Sequence, residues 1–277
     1  MTFCGTDARA GLTNKERAPF FATLLIPLFL VCAGSEGIAC AQRASASAPI
    51  VKAPISQEQV VENLVAMDLN RAHALHAYQG TRLYRLEYNG FGGTRSAEMT
   101  VEVKYQSPRT KEFAIRSTTG SRLIIRKVFK KLLQAEKEAM EAEAQRHDAM
   151  NSDNYDFTLT GYDSTPSGSM YVLGVKPRTK GKFLYRGQIW VDFKDFAVTR
   201  LEAQPAKNPS FWTKHSEIEE VYMQVGDFWL PARNRSVTNT RFGGRAVLTI
   251  QYQNYEITSA TPISNMPPGS NPSGSDR

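Results

Sequence analysis

From residue 82 onward the chain is a succession of short segments in which apolar and polar residues alternate, each closed by turn chemistry, and this constrains the fold more than any other feature. Runs at 82–88, 96–105 and 111–117 are separated by Asn89-Gly90-Phe91-Gly92-Gly93 and by Ser107-Pro108. Seven more follow near 155–162, 170–176, 182–193, 196–203, 216–225, 228–238 and 245–257, with Lys194-Asp195, Gly226-Asp227 and Gly243-Gly244 among the connections. Strands joined by short turns pair antiparallel, and about ten of them make a sheet too wide to stay flat. The expected fold class is mainly β (α+β): a curved antiparallel sheet forming an incomplete barrel, covered by two helices.

The first helix starts at Ser56-Gln57-Glu58-Gln59, which has capping-box spacing, and continues through Val61, Leu64, Val65, Leu69, Ala72 and Leu75 to about residue 78. The second is predicted over 122–147. Its apolar stripe is Leu123, Ile124, Val128, Phe129, Leu132, Leu133, Ala139 and Met140, with Lys130, Lys131, Glu136, Lys137, Glu141 and Arg146 on the remaining faces.

The N-terminal part has a different character. Arg9, Lys15 and Arg17 precede an uncharged run over 18–33, too short for a comfortable membrane span of about 20 residues, and Ala39-Cys40-Ala41 offers a small-x-small cleavage triplet. Residues 1–41 are read as a signal peptide; an uncleaved anchor and a lipoprotein acylated at Cys40 are the alternatives. Residues 42–55 form a linker, 56–258 the half-barrel domain, and 259–277, rich in Pro, Ser, Gly and Asn, a disordered tail with no transmembrane span in the mature chain. All three cysteines, Cys4, Cys32 and Cys40, fall in the leader, so disulfides and thiol chemistry are excluded from the mature chain. The formal charge of +7 belongs to the mature part. For an exported chain it points to headgroups, envelope glycans or acidic proteins rather than nucleic acid.

No residue pattern calls for catalysis. A Gly-x-Ser-x-Gly elbow is absent from the sequence, and Asn89-Gly90-Phe91-Gly92-Gly93 is followed by a strand, so it makes a hairpin rather than a phosphate cradle. His73 and His76 would share a helix face, but no third ligand is signalled, and neither metal nor cofactor is expected. Asp192 and Asp195 bracket a turn, while Arg200, Glu202 and Asp192 suit a cross-strand surface partnership; opposed catalytic carboxylates need another geometry. Apolar and aromatic residues occupy both strand phases around 183–193, which suggests a concave face enclosing an apolar cavity under the second helix. The expected lining is Phe113, Val128, Phe129, Leu132, Leu133, Phe183, Tyr185, Ile189, Trp190, Trp212 and Trp229.

Three stretches carry a family resemblance. Val103-Lys104-Tyr105-Gln106-Ser107-Pro108-Arg109-Thr110-Lys111-Glu112-Phe113 resembles a strand, proline turn and strand of the LolA-like superfamily, which includes outer-membrane lipoprotein-sorting proteins and the N-terminal domain of the RseB/MucB regulators. Gly187-Gln188-Ile189-Trp190-Val191-Asp192 with Val198-Thr199-Arg200-Leu201-Glu202 resembles its strand ending in Asp, turn and strand, and Phe228-Trp229-Leu230-Pro231 its late strand start. The resemblance implies an incomplete barrel, with helices across its opening, that binds acyl chains or lipid-modified proteins without catalysis. The chain departs from the carriers in its charged helix over 122–147 and its paired late strands over 216–257. Their lid-locking arginine would fall near Ser107-Pro108-Arg109, where Arg109 follows the proline instead of preceding it. The function expected is that of an exported, non-enzymatic periplasmic or envelope protein binding a lipid, lipoprotein or other amphiphile. The alternatives are an envelope interaction or sensor module, using basic residues around Lys176, Arg178, Lys180, Lys182 and Arg186, and a hydrolase whose residues give no signal.

Overall fold

The structure, a computed structural model, describes residues 55–90, 92–108, 110–140, 149–165, 168–180, 184–207, 213–241 and 243–263. The expected signal peptide, nearly all of the expected linker and the expected tail beyond Ile263 lie outside the described residues. The alternating segments become ten strands: β1 (Leu75–Gly90), β2 (Gly93–Gln106), β3 (Thr110–Gly120), β4 (Tyr155–Thr165), β5 (Gly168–Pro177), β6 (Tyr185–Asp192), β7 (Val198–Pro205), β8 (Thr213–Val225), β9 (Phe228–Thr240) and β10 (Arg245–Ala260). They form one sheet in the order β3-β2-β1-β10-β9-β8-β7-β6-β5-β4, in which every neighbour follows in sequence except the antiparallel pair β1 and β10. The sheet is therefore an open meander whose free edges are β3 and β4, and the second helix is the segment joining those edges in sequence. The turns follow the expected chemistry. Gly92 and Gly93 close the β1–β2 hairpin at φ of 89° and 92°, a region other residues avoid. β10 runs two residues past the domain end expected at 258, and Ile263 still packs on the core.

Helix α1 (Gln57–Ala74) opens with the predicted capping box: Ser56 Oγ accepts from the Gln59 N–H at 3.2 Å, and Gln59 Oε1 accepts from the Ser56 N–H at 3.0 Å. It ends before residue 78 because the chain from Leu75 pairs with β2 and β10. Tyr78 lies opposite Tyr105 and Ile257, and the Tyr78 and Tyr105 rings stack at 5.1 Å. His73 and His76 consequently sit on different elements, the first on α1 and the second on β1. The buried face of α1 is Val60, Val61, Leu64, Met67, Asp68, Arg71 and Ala74, while the expected Leu69 and Ala72 are half-buried. Arg71 belongs there because its guanidinium donates to the carbonyls of Asp195 (2.8 Å) and Phe196 (3.1 Å), tying α1 to the β6–β7 turn.

The second helix is a continuous rod of α2 (Arg122–Ile124), a π-helical stretch Ile125–Phe129 and α3 (Lys130–Ala139). Its expected continuation over 141–147 lies outside the described residues. Ile124, Val128, Leu132, Glu136 and Met140 are all buried, a four-residue step that would drift around an ideal helix of 3.6 residues per turn. The i→i+5 bonding of the π stretch holds more residues per turn and offsets that drift. Two expectations fail: Leu123 is exposed, and Glu136, placed on the polar faces from sequence, is buried.

Candidate functional site

Strand registers define one row of side chains crossing the inner face from β2 to β4: Met99, Tyr84, Ile250, Asn234, Glu220, Leu201, Ile189, Leu173 and Leu159. Its two ends belong to separate apolar clusters. The half formed by β1, β2 and β10 is covered by Ile124, Val128, Phe129, Leu132 and Leu133 of the second helix. The half formed by β4 to β7 is covered by Val60, Val61, Leu64 and Met67 of α1. Between them β8 and β9 carry buried polar side chains beside the apolar Ile218, and Phe228 and Leu230 of β9 join a third apolar cluster with Ala74, Leu75, Tyr78, Tyr105 and Met140. Ser216 and Thr238 share a buried hydrogen bond at 2.9 Å, and Glu220 lies opposite Asn234. Glu220 and Asn234 are 1% and 3% exposed. Burial pushes the Glu220 carboxyl up to about 7 against the opposing pull of Tyr222, Asn234 and Arg82.

The second helix is fastened to the sheet by a buried ion triad. Glu136 takes two hydrogen bonds from Arg82 on β1, Nη1 to Oε2 at 2.6 Å and Nη2 to Oε1 at 3.0 Å, and one from Lys111 Nζ on β3 at 2.8 Å. The Arg82 guanidinium also lies over the rings of Tyr252 at 5.0 Å and Phe113 at 5.7 Å. Burial alone would raise the Glu136 carboxyl, but the two cations outweigh it and hold the pKa down to about 2. Burial likewise opposes the charge on Arg82 and Lys111, and Glu136 more than compensates, raising both.

The residues expected to line one cavity are not brought together. Val128, Phe129, Leu132 and Leu133 are packed core on the β1–β2–β10 half, with Phe113 half-buried beside them. Tyr185 and Ile189 belong to the other half. Trp190 alternates out of phase with the buried Ile189 and Val191 and lies on the outer face, its ring under the Arg200 guanidinium at 4.9 Å. Trp229 is out of phase with buried Phe228 and Leu230, and its Nε1 donates to Asp195 Oδ2 at 3.1 Å. Phe183, Trp212 and Arg109 lie outside the described residues. Asp192 is a turn residue, its Oδ1 accepting from the backbone N–H groups of Lys194 and Asp195, both at 2.8 Å. Arg200 and Glu202 pair on the outer face, where Arg233 and Glu219 pair at 2.8 Å.

Sequence reasoning missed Arg82, Lys111, Glu136, Glu220 and Asn234. The first two were legible as members of inward phases, Arg82 with Tyr84 and Leu86, and Lys111 with Phe113. Glu220 is likewise in phase with Ile218. Among the described residues no group of His, Cys, Asp and Glu is arranged to hold a metal, and no helix is long and apolar enough to cross a membrane.

No family model matches the sequence, and no curated protein matches it. Among solved structures the chain is similar to a DUF1329 family protein from Desulfovibrio piger, at 12% identity over 74% of this chain and 94% of that one, with a TM-score of 0.37. It is also similar to a putative outer membrane lipoprotein-sorting protein domain from Vibrio parahaemolyticus, at 10% identity over 73% of this chain and 95% of that one, TM-score 0.33. A LolA superfamily protein from Nitrosomonas europaea is similar at 10% identity over 75% of this chain and 96% of that one, TM-score 0.31.

Proposed function

We propose that this protein is an exported, non-enzymatic envelope protein that accommodates the acyl chain of a lipid, lipoprotein or other amphiphile between the two covered halves of its open sheet. The observation carrying the proposal is the partitioned interior: one apolar cluster lies under each helix, buried polar side chains of β8 and β9 lie between them, and a third apolar cluster of Ala74, Leu75, Tyr78, Tyr105, Met140, Phe228 and Leu230 lies beside both. A core built only for stability gains from continuous apolar contact, whereas a sheet that admits a chain under a movable cover needs separable halves. The triad of Arg82, Lys111 and Glu136 then holds the cover in place until the ligand displaces it. A second reading, a module for an acidic protein or glycan, is favoured by the exposure of Lys176, Arg178, Lys180 and Arg186, although Arg178 is already paired with Asp156 at 3.0 Å.

Native mass spectrometry of the protein isolated from its own envelope tests both. A co-purifying amphiphile supports the first reading and a stoichiometric protein partner the second. Neither mass, together with no binding of a fluorescent fatty acid at micromolar concentration, overturns the proposal.

A further inference from the structure

The two free edges of the sheet are not alike. On β4 the regular pairing breaks between Leu159 and Gly161, and the Leu159 N–H is taken by Gln57 Oε1 of α1 at 2.8 Å. An irregular, partly capped edge resists further pairing. Among the described residues β3 pairs with β2 alone, so its other side presents backbone N–H and C=O groups outward. Residues 114–120 are exposed on both faces. Ile115 is among the large apolar side chains left exposed. The register with β2 slips once, leaving Arg116 as the extra residue between Ile115 and Ser117, so the regular part of the edge ends there. Such an edge is a template for one more strand.

The register also sorts the side chains of β3. Phe113 and Ile115 stand opposite the buried Val103 and Val101, on the inner face. Glu112 and Ala114 stand opposite Lys104 and Glu102 on the outer face, and Arg116 joins them there by pairing with Glu102. The outer face of the edge thus reads acidic, neutral, basic, an order that complements its own reverse. We propose that β3 pairs antiparallel with β3 of a second copy of this chain, Ala114 lying opposite Ala114 across a two-fold axis, so that two open sheets join into one. In this register Glu112 of each copy meets Arg116 of the other, and Phe113 meets Ile115 on the inner face. Lys104 and Glu112 of one copy, continued by Arg116 and Glu102 of the other, make a row of alternating charge across the seam, and symmetry supplies it twice. Registers centred on Glu112 or Arg116 set like charges against each other, and a one-residue slip sets inner side chains against outer ones. The two-fold stands normal to the sheet, so both inner faces and both second helices lie on the same side. The seam is short, which makes the dimer weak and dependent on concentration.

The test is sedimentation equilibrium at low salt, from micromolar to submillimolar concentration, on the protein isolated from its own envelope and on variants produced the same way. The wild type is expected to show a monomer–dimer equilibrium. Glu112→Arg and Arg116→Glu should each raise the dissociation constant about tenfold or more, because each sets like charges against each other at both contacts. An equimolar mixture of the two variants should dimerise within about threefold of the wild type, since opposite charges then meet at both contacts. A variant that merely misfolds is not rescued by mixing. Ala114→Cys should form a disulfide-linked dimer on mild oxidation, beyond any seen for the wild type. A wild type that stays monomeric throughout, a dimer indifferent to both charge reversals, a mixture as weak as its separate components, or no added cross-link in Ala114→Cys overturns the proposal.

Discussion

Removing the Glu136 carboxylate while keeping its shape, as Glu136→Gln, leaves Arg82 and Lys111 buried without their counter-ion. Two independent routes give the size of the loss. The fall of the Glu136 pKa from 4.5 to about 2 corresponds to about 3 kcal/mol of preferential stabilisation of the folded state. Breaking a buried ion pair by deleting one member costs about 3–5 kcal/mol. The expected loss at pH 7 is therefore about 3 kcal/mol, read as a reduced midpoint in urea denaturation followed by circular dichroism. A carboxyl whose folded pKa is depressed contributes fully above its unfolded value and progressively less as pH falls. The difference between wild type and variant should accordingly close between pH 4.5 and about 2. Replacing all three members by apolar residues, as Arg82→Met/Lys111→Met/Glu136→Leu, should restore stability to within about 1 kcal/mol of wild type, because desolvation offsets most of the attraction in a buried cluster. A loss below about 1 kcal/mol for Glu136→Gln at pH 7 would refute the triad as an anchor. A triple variant as unstable as the single one would show that the apolar seam under the helix cannot hold it alone.

Glu220 has the opposite sign. Its folded pKa is raised from 4.5 to about 7, so ionising it costs stability that is intact at acid pH and lost as pH rises through that window, up to about 3 kcal/mol. Glu220→Gln should match wild type near pH 4.5 and exceed it by about that amount at pH 8 in urea denaturation; parallel pH profiles for the two proteins would contradict the assignment. Ser56→Ala deletes the side-chain half of the α1 capping box and should cost about 1 kcal/mol by the same measurement, with no change in the pH profile.

The sheet was legible because its signals are local and repeated. Each turn carries residues that choose turns for their own backbone reasons, and period-two alternation marks a strand whatever it pairs with. The first four residues of β1, 75–78, were misread as helix because Leu75 continues an apolar helical period, and only the pairing of Tyr78 with Tyr105 and Ile257, distant in sequence, makes them a strand. The candidate site was hidden for a related reason. Glu136 looks like one more charge on a charged helix, and Arg82 like one polar residue in a strand full of them; neither declares that the other waits in the interior. Phase alone would have placed Arg82, Lys111 and Glu220 inward, but a charge in an inward phase is more often a strand-end or edge residue than a buried partner. What converts those three positions from anomalies into a site is counting which of them are satisfied. Arg82 and Lys111 meet Glu136, an arrangement that stability and closure of the helix over the sheet can explain. Glu220 meets only neutral partners, Tyr222 and Asn234, which do not offset the burial of its charge, so the chain keeps it in an apolar row at a cost to stability above neutral pH.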